Sequence, residues 1–93
     1  MEPAELLDLF RLRASAARRP WKAIAEEARE AMLRQANVKR KRITRLALQV
    51  ELFQRGSPQR LVKERELEQT RLQLESVRAD AAQVAELLRK GGV

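Results

Sequence analysis

The segment NVKRKRITR, residues 37–45, carries five cationic side chains within seven positions, Lys39 to Arg45. Fixed cations at that density do one kind of chemistry well: they neutralise phosphate or carboxylate oxygens and displace the counterions those anions hold. Arg34 adds a further cation upstream, and no Asp or Glu occurs from Ala31 to Val50. A solvated helix face usually sets an acid four residues from a base. Here Lys41 and Arg45 repel across that spacing instead, a cost that an anionic partner would offset. KRKR also fits a minimal nuclear-import pattern, which leaves a nucleus open as a location but is common by chance.

The remaining candidates for chemistry are few. The chain has no Cys, no His and no Tyr. That removes disulfides, thiolates, imidazole bases and most transition-metal ligand sets, so the expectation is a non-enzyme with no metal and no cofactor. Glu64, Glu66 and Glu68 are spaced by two, which scatters them around a helix rather than converging them on a cation. Trp21 and Phe53 have ring faces on which bases stack. Both fall on apolar helical stripes, where packing is the commoner use.

The formal charge of +7 is concentrated. Residues 1–30 are neutral, residues 31–55 carry +6 and residues 56–93 carry +1. Solubility needs no such clustering, whereas a polyanion-binding surface does.

These side chains must be positioned by helices, because Ala, Leu, Glu, Arg and Gln dominate and no stretch alternates long enough for a strand. Pro3 suits a first helical turn, and Leu6, Leu9 and Phe10 then share a face, giving a helix over about 3–17. Pro20 opens a second, about 20–36, with Trp21, Ile24, Ala28 and Met32 (or Ala31) on one side. The low helix propensity of Asn37 predicts a fade or kink there. A third helix, about 38–55, presents Ile43, Leu46, Ala47, Val50 and Phe53 on an apolar face. Arg34, Lys41 and Arg45 stand opposite if the helix is continuous, with Lys39, Arg40 and Arg42 on the flanks and Leu48 and Leu52 beside the cations.

Gly56, Ser57 and Pro58 then supply a left-handed stop, an N-cap and a first helical residue, the sharpest boundary in the chain. The last helix should run from 58 to about 90, with 91–93 as a tail. Its heptads place Leu67, Leu74, Ala81 and Leu88 at one core position and Thr70, Val77 and Val84 at the other. That seam fits a second copy, the chain's own earlier helices, or a partner protein. The break at Gly56–Pro58 excludes a leucine-zipper factor, which needs one unbroken helix from zipper to groove.

The stretch RITRLALQVELFQRGSPQRLVKEREL reads as a helix, a tight turn, and a helix opening with Gln59, Arg60 and Lys63. Helix starts offer N–H groups to phosphate, and Gln or Arg near them reach base edges. Through Arg42, Ile43, Thr44, Arg55, Gly56, Ser57 and Pro58, followed by the heptads from Leu67, the chain resembles the DNA-binding domain of plasmid KfrA-type proteins over about residues 28–75. In that family a helical DNA-binding domain ends in a GS turn before its recognition helix, and an α-helical coiled coil follows. The Trp that usually follows that helix is absent here, and the coiled region is shorter. The resemblance implies DNA binding in a bacterial, plasmid or phage setting.

The sequence therefore predicts an all-α protein of three to four helices, helix-turn-helix-like, with a basic helical domain at 1–55 and a coiled-coil-prone helix at 58–90. The expected partner is nucleic acid, DNA ahead of RNA. Arg34, Lys39, Arg40, Lys41, Arg42 and Arg45 would lie on phosphates, with Gln59, Arg60 and Lys63 as readers or clamps. A regulatory homodimer through Leu67, Thr70, Leu74, Val77, Ala81, Val84 and Leu88 is expected. The rival is a helical adaptor, inhibitor or assembly component docking an acidic protein surface. No apolar run approaches the ~20 residues of a membrane span, and the first ten residues carry no base, so a cytoplasmic protein without a leader is expected.

Overall fold

The computed structural model describes residues 2–91 and contains α1 (Pro3–Ala17), α2 (Trp21–Glu51) and α3 (Pro58–Arg89), with no strand among them. The fold is all-α. Pro3 stands in the first turn of α1, and Arg18 ends that helix in the left-handed region at φ 53°. The Arg19 N–H donates to the Ala14 carbonyl, closing the helix end. Pro20 is extended and caps α2, its carbonyl accepting from the Ala23 and Ile24 N–H groups.

α2 runs unbroken through Asn37, so the expected helices at 20–36 and 38–55 are one. The propensity deficit of Asn there is below about 1 kcal/mol. Packing of this stretch against α3 outweighs it: Ala36 is buried, and the Lys39 Nζ donates to Gln73 Oε1 at 2.9 Å. The helix also stops at Glu51 rather than 55, because its last turn tightens. The Leu52 N–H reaches the Gln49 carbonyl and the Phe53 N–H the Val50 carbonyl.

The turn is built as its residues dictate. Gly56 is left-handed at φ 78° with open space around it, and the Ser57 hydroxyl accepts from the Arg60 N–H at 3.2 Å. Pro58 then starts α3, which reverses and runs back along α2. Phe53 meets Arg60, Leu46 meets Leu67, Lys39 meets Gln73, and Ala25 meets Val84 and Leu87. The molecule measures 55 × 21 × 20 Å. The boundary expected between 55 and 58 is thus a bend inside one packed unit, since both apolar clusters draw residues from either side of it.

One cluster joins Leu6, Leu7 and Phe10 of α1 to Ala25, Val84 and Leu87, with Trp21, Ile24, Ala28, Met32 and Leu88 packed around it. The other, nearer the bend, holds Leu46, Val50 and Leu67 with Ile43 and Ala47. Small or compact buried side chains, Ala36, Thr70, Leu74 and Ala81, complete the buried face. α3 ends at Lys90 and a left-handed Gly91; of the expected tail, Gly92 and Val93 lie outside the described residues.

The heptad seam is spent inside the chain. Leu67, Thr70, Leu74, Ala81 and Val84 are buried and Val77 is half-buried, all within a single copy. Assigning these residues to an oligomer interface is therefore corrected: a short bend brings a complementary apolar face of the same chain onto the seam before any second copy need meet it. At the open end Leu87, not Leu88, is the buried residue. There α1 packs against α3, widening the core toward it.

Thr70 is the one buried polar residue among the described residues, 2% exposed, with its hydroxyl donating to the Glu66 carbonyl at 2.8 Å. That bond is local to the helix and adds little. Thr70→Val should leave the melting midpoint unchanged or raise it. A loss above about 1 kcal/mol in a thermal melt would show that the hydroxyl matters.

Candidate nucleic-acid interface

Because α3 covers the apolar face of α2, the opposite face is left to solvent. Arg34, Val38, Lys41, Arg45, Leu48 and Leu52 follow one another at spacings of four and three and are all exposed. That spacing holds them on a single outer line. At 1.5 Å rise, Arg34 and Lys41 stand about 10 Å apart along the axis, and Lys41 and Arg45 about 6 Å. Arg42 is exposed beside the line, and Gln35, Val38 and Lys39 help to line a shallow groove with Ala31 and Arg34.

The predicted phosphate contacts divide by what already holds them. Arg34, Lys41, Arg42 and Arg45 make no ion pair or side-chain hydrogen bond among the described residues. Lys39 is half-buried on Gln73, and the Arg40 guanidinium donates to Asn37 Oδ1 within α2. The Thr44 hydroxyl donates to the Arg40 carbonyl at 3.2 Å. Four cations are therefore available outright, and two would first exchange a weak neutral partner.

The predicted readers fare differently. Gln59 is exposed in the first turn of α3, next to the bend. Arg60 is half-buried: its Nε donates to Glu64 Oε1 at 3.0 Å, its Nη1 to the Phe53 carbonyl at 3.2 Å, and its Nη2 lies 3.8 Å from Glu51. Lys63 is half-buried 3.5 Å from Glu66 Oε2. Arg60 ties the bend together, Lys63 pairs within α3, and both cations are already answered by acids. Trp21 packs in the three-helix cluster with Lys22 Nζ 6.0 Å from its ring centre, and Phe53 is half-buried at the bend, so neither ring is presented for stacking.

Val38 is the member of the outer line that sequence reasoning missed. The signal was its place four residues after Arg34 and three before Lys41, which an eye following the apolar face passes over.

α3 is balanced in charge. Its Glu86 is held down to about 2 by hydrogen bonding to the Arg89 guanidinium, with desolvation opposing that shift and Lys90 also close by. Glu68 and Glu75 are exposed and make no ion pair among the described residues. No group of three acidic side chains among the described residues is placed to hold a metal ion, and no described helix is long and apolar enough to cross a membrane. No family model, curated protein or solved structure matches the chain.

Proposed function

We propose that the protein is a non-catalytic, regulatory nucleic-acid-binding protein that lays α2 along a phosphate backbone, duplex DNA ahead of RNA. The observation that carries this reading is the set Arg34, Lys41, Arg42 and Arg45: exposed, without an ion pair or side-chain hydrogen bond among the described residues, on a stretch of α2 that has no acid from Ala31 to Val50. Exposed like charges on adjacent turns cost free energy that phosphates would return as released counterions. Lys39 and Arg40 extend the contact once their neutral partners give way. Gln59, Arg60 and Lys63 are left out of it, since Arg60 braces the bend and Lys63 is paired with Glu66. The bacterial setting implied by the KfrA-type resemblance agrees with a cytoplasmic DNA ligand.

Four phosphate contacts give a slope of log K against log salt of about −3.5 on duplex DNA. Replacing Arg34, Lys41 and Arg45 by Ala together should reduce it to about −1. Fluorescence-anisotropy titrations at several salt concentrations, on duplex, single-stranded DNA and RNA, measure both. Affinity that ignores salt, or that survives the triple substitution, overturns the reading.

Phosphates make no use of Val38, Leu48 and Leu52, which stand in the same line with 64%, 66% and 81% of their surface exposed. That observation supports a second use of this face, by protein.

A further inference from the structure

α1 is joined to α2 by the shorter of the two links in the fold, Arg18, Arg19 and Pro20. The reversal rests on Arg18. Its φ of 53° is left-handed, and among the described residues it is the one residue other than glycine that is so. A Cβ makes that conformation unfavourable, whereas glycine holds it freely. Pro20 is already extended, and a residue before proline is kept out of the helical region. The Arg19 side chain pairs with Glu27, which ties it to α2 rather than to α1. Turning Arg18 into an extended conformation therefore swings α1 off the hairpin, and Pro20 keeps the two helices from fusing into one.

The seat that α1 would leave is apolar. Leu6, Leu7 and Phe10 pack there on Ala25, Val84 and Leu87. Leu6 also lines two cavities of about 450 and 240 Å³, so α1 covers the seat without filling it. Ala25 and Val84 are 0% exposed with α1 in place, and water would reach them without it. The helix whose side chains match this seat is α1 itself, and a second copy brings the same helix. We infer that the protein forms a two-fold dimer by exchanging α1, each copy seating its α1 on the α2–α3 hairpin of the other.

Exchange keeps every contact of α1 with its seat and removes two left-handed arginines, one from each hinge. Against this stands the loss of freedom on joining two chains, so the dimer gains ground as concentration rises. The exchanged elements are identical and both seats are filled, so association stops at two. With the hinges extended, the copies meet at their three-helix ends and the hairpins point away from each other. The dimer is then close to twice the 55 Å length of one chain. Arg34, Lys41 and Arg45 occur once on each arm, which offers a polyanion two separate contacts. The exchange itself does not rest on the nucleic-acid reading.

The test compares the full chain with Arg18→Gly and Arg18→Val by sedimentation velocity over a range of concentrations, with circular dichroism to confirm helix content. Valine resists the left-handed turn more than arginine does. Two hinges open per dimer, so Arg18→Gly should weaken dimerisation about thirtyfold, and Arg18→Val should strengthen it. A second comparison asks what the dimer exchanges. Phe10→Ala added to Arg18→Val should return single chains, because α1 loses its largest anchor. Leu48→Asp with Leu72→Asp, both on the outside of the hairpin, should leave the Arg18→Val dimer intact. An Arg18→Val protein that stays single at high concentration overturns the inference. So does dimerisation that ignores residue 18, survives Phe10→Ala, or is lost with the outer pair. The DNA reading is judged separately: every Arg18 variant keeps Arg34, Lys41 and Arg45, and a failure of all of them to bind duplex DNA would count against that reading alone.

Discussion

Val84→Asp should abolish the cooperative melt of the three-helix end. Val84 is 0% exposed and is enclosed by Leu6, Leu7, Phe10, Ala25 and Leu87, none of which can donate a hydrogen bond from its side chain. A carboxylate there loses its water among apolar side chains, a change in the range of about 4 kcal/mol or more. A domain of this size has about 5–10 kcal/mol in total. The expected result in circular dichroism is a broad, early transition in place of a sharp one. Leu12→Asp is the control: the same chemical change at a residue 69% exposed should shift stability by no more than about 0.5 kcal/mol. If the two variants melt alike, the packing described for this cluster is wrong.

Phe10→Ala has the next largest expected effect, and it tests how the two clusters are coupled. Phe10 is 2% exposed and is the largest side chain that α1 buries. Its truncation costs about 3–5 kcal/mol in well-packed cores. α1 contributes nothing to the cluster of Leu46, Val50 and Leu67, so that cluster should survive the loss. Trp21 packs at the α1 end and reports on it by fluorescence. Helix content reports on the whole chain. In the variant, Trp21 should become solvated at a lower urea concentration than that at which helix content falls. Coincident transitions would show that the clusters melt as one.

Which parts of this fold were readable follows from how far the responsible forces reach. Gly56, Ser57 and Pro58 could be read because each acts on its own backbone within a few residues. The break expected at Asn37 failed for the opposite reason. Propensity is a local preference, and what overrides it, Ala36 and Lys39 against α3, sits more than thirty residues away in sequence. The heptads of α3 told which side would be buried, since periodicity fixes a face. They could not tell which partner would bury it, and the chain's own α2 does so.

The candidate site divides along the same line. Arg34, Lys41 and Arg45 were placed correctly on one face because helical spacing is enough to align them. Lys63 has its acid, Glu66, three residues along the same helix, which spacing alone offered, whereas the surroundings of Arg60 depend on the fold. Glu51 becomes a neighbour of Arg60 only once the chain has reversed.

That arginine also answers a mechanical question posed by two long helices lying side by side. Where buried contacts repeat every seven residues and several of them are as small as Ala36, Thr70 and Ala81, one rod can slide a step along the other and still find apolar neighbours. Hydrophobic burial resists such slippage weakly. Glu64, one turn along the same helix, orients the Arg60 guanidinium, and the Phe53 carbonyl and Glu51 across the bend grip it in one alignment of the two helices. Arg60 works as a peg at the hinge of a ruler: it fixes the zero mark, and every distance along the 55 Å length is counted from it.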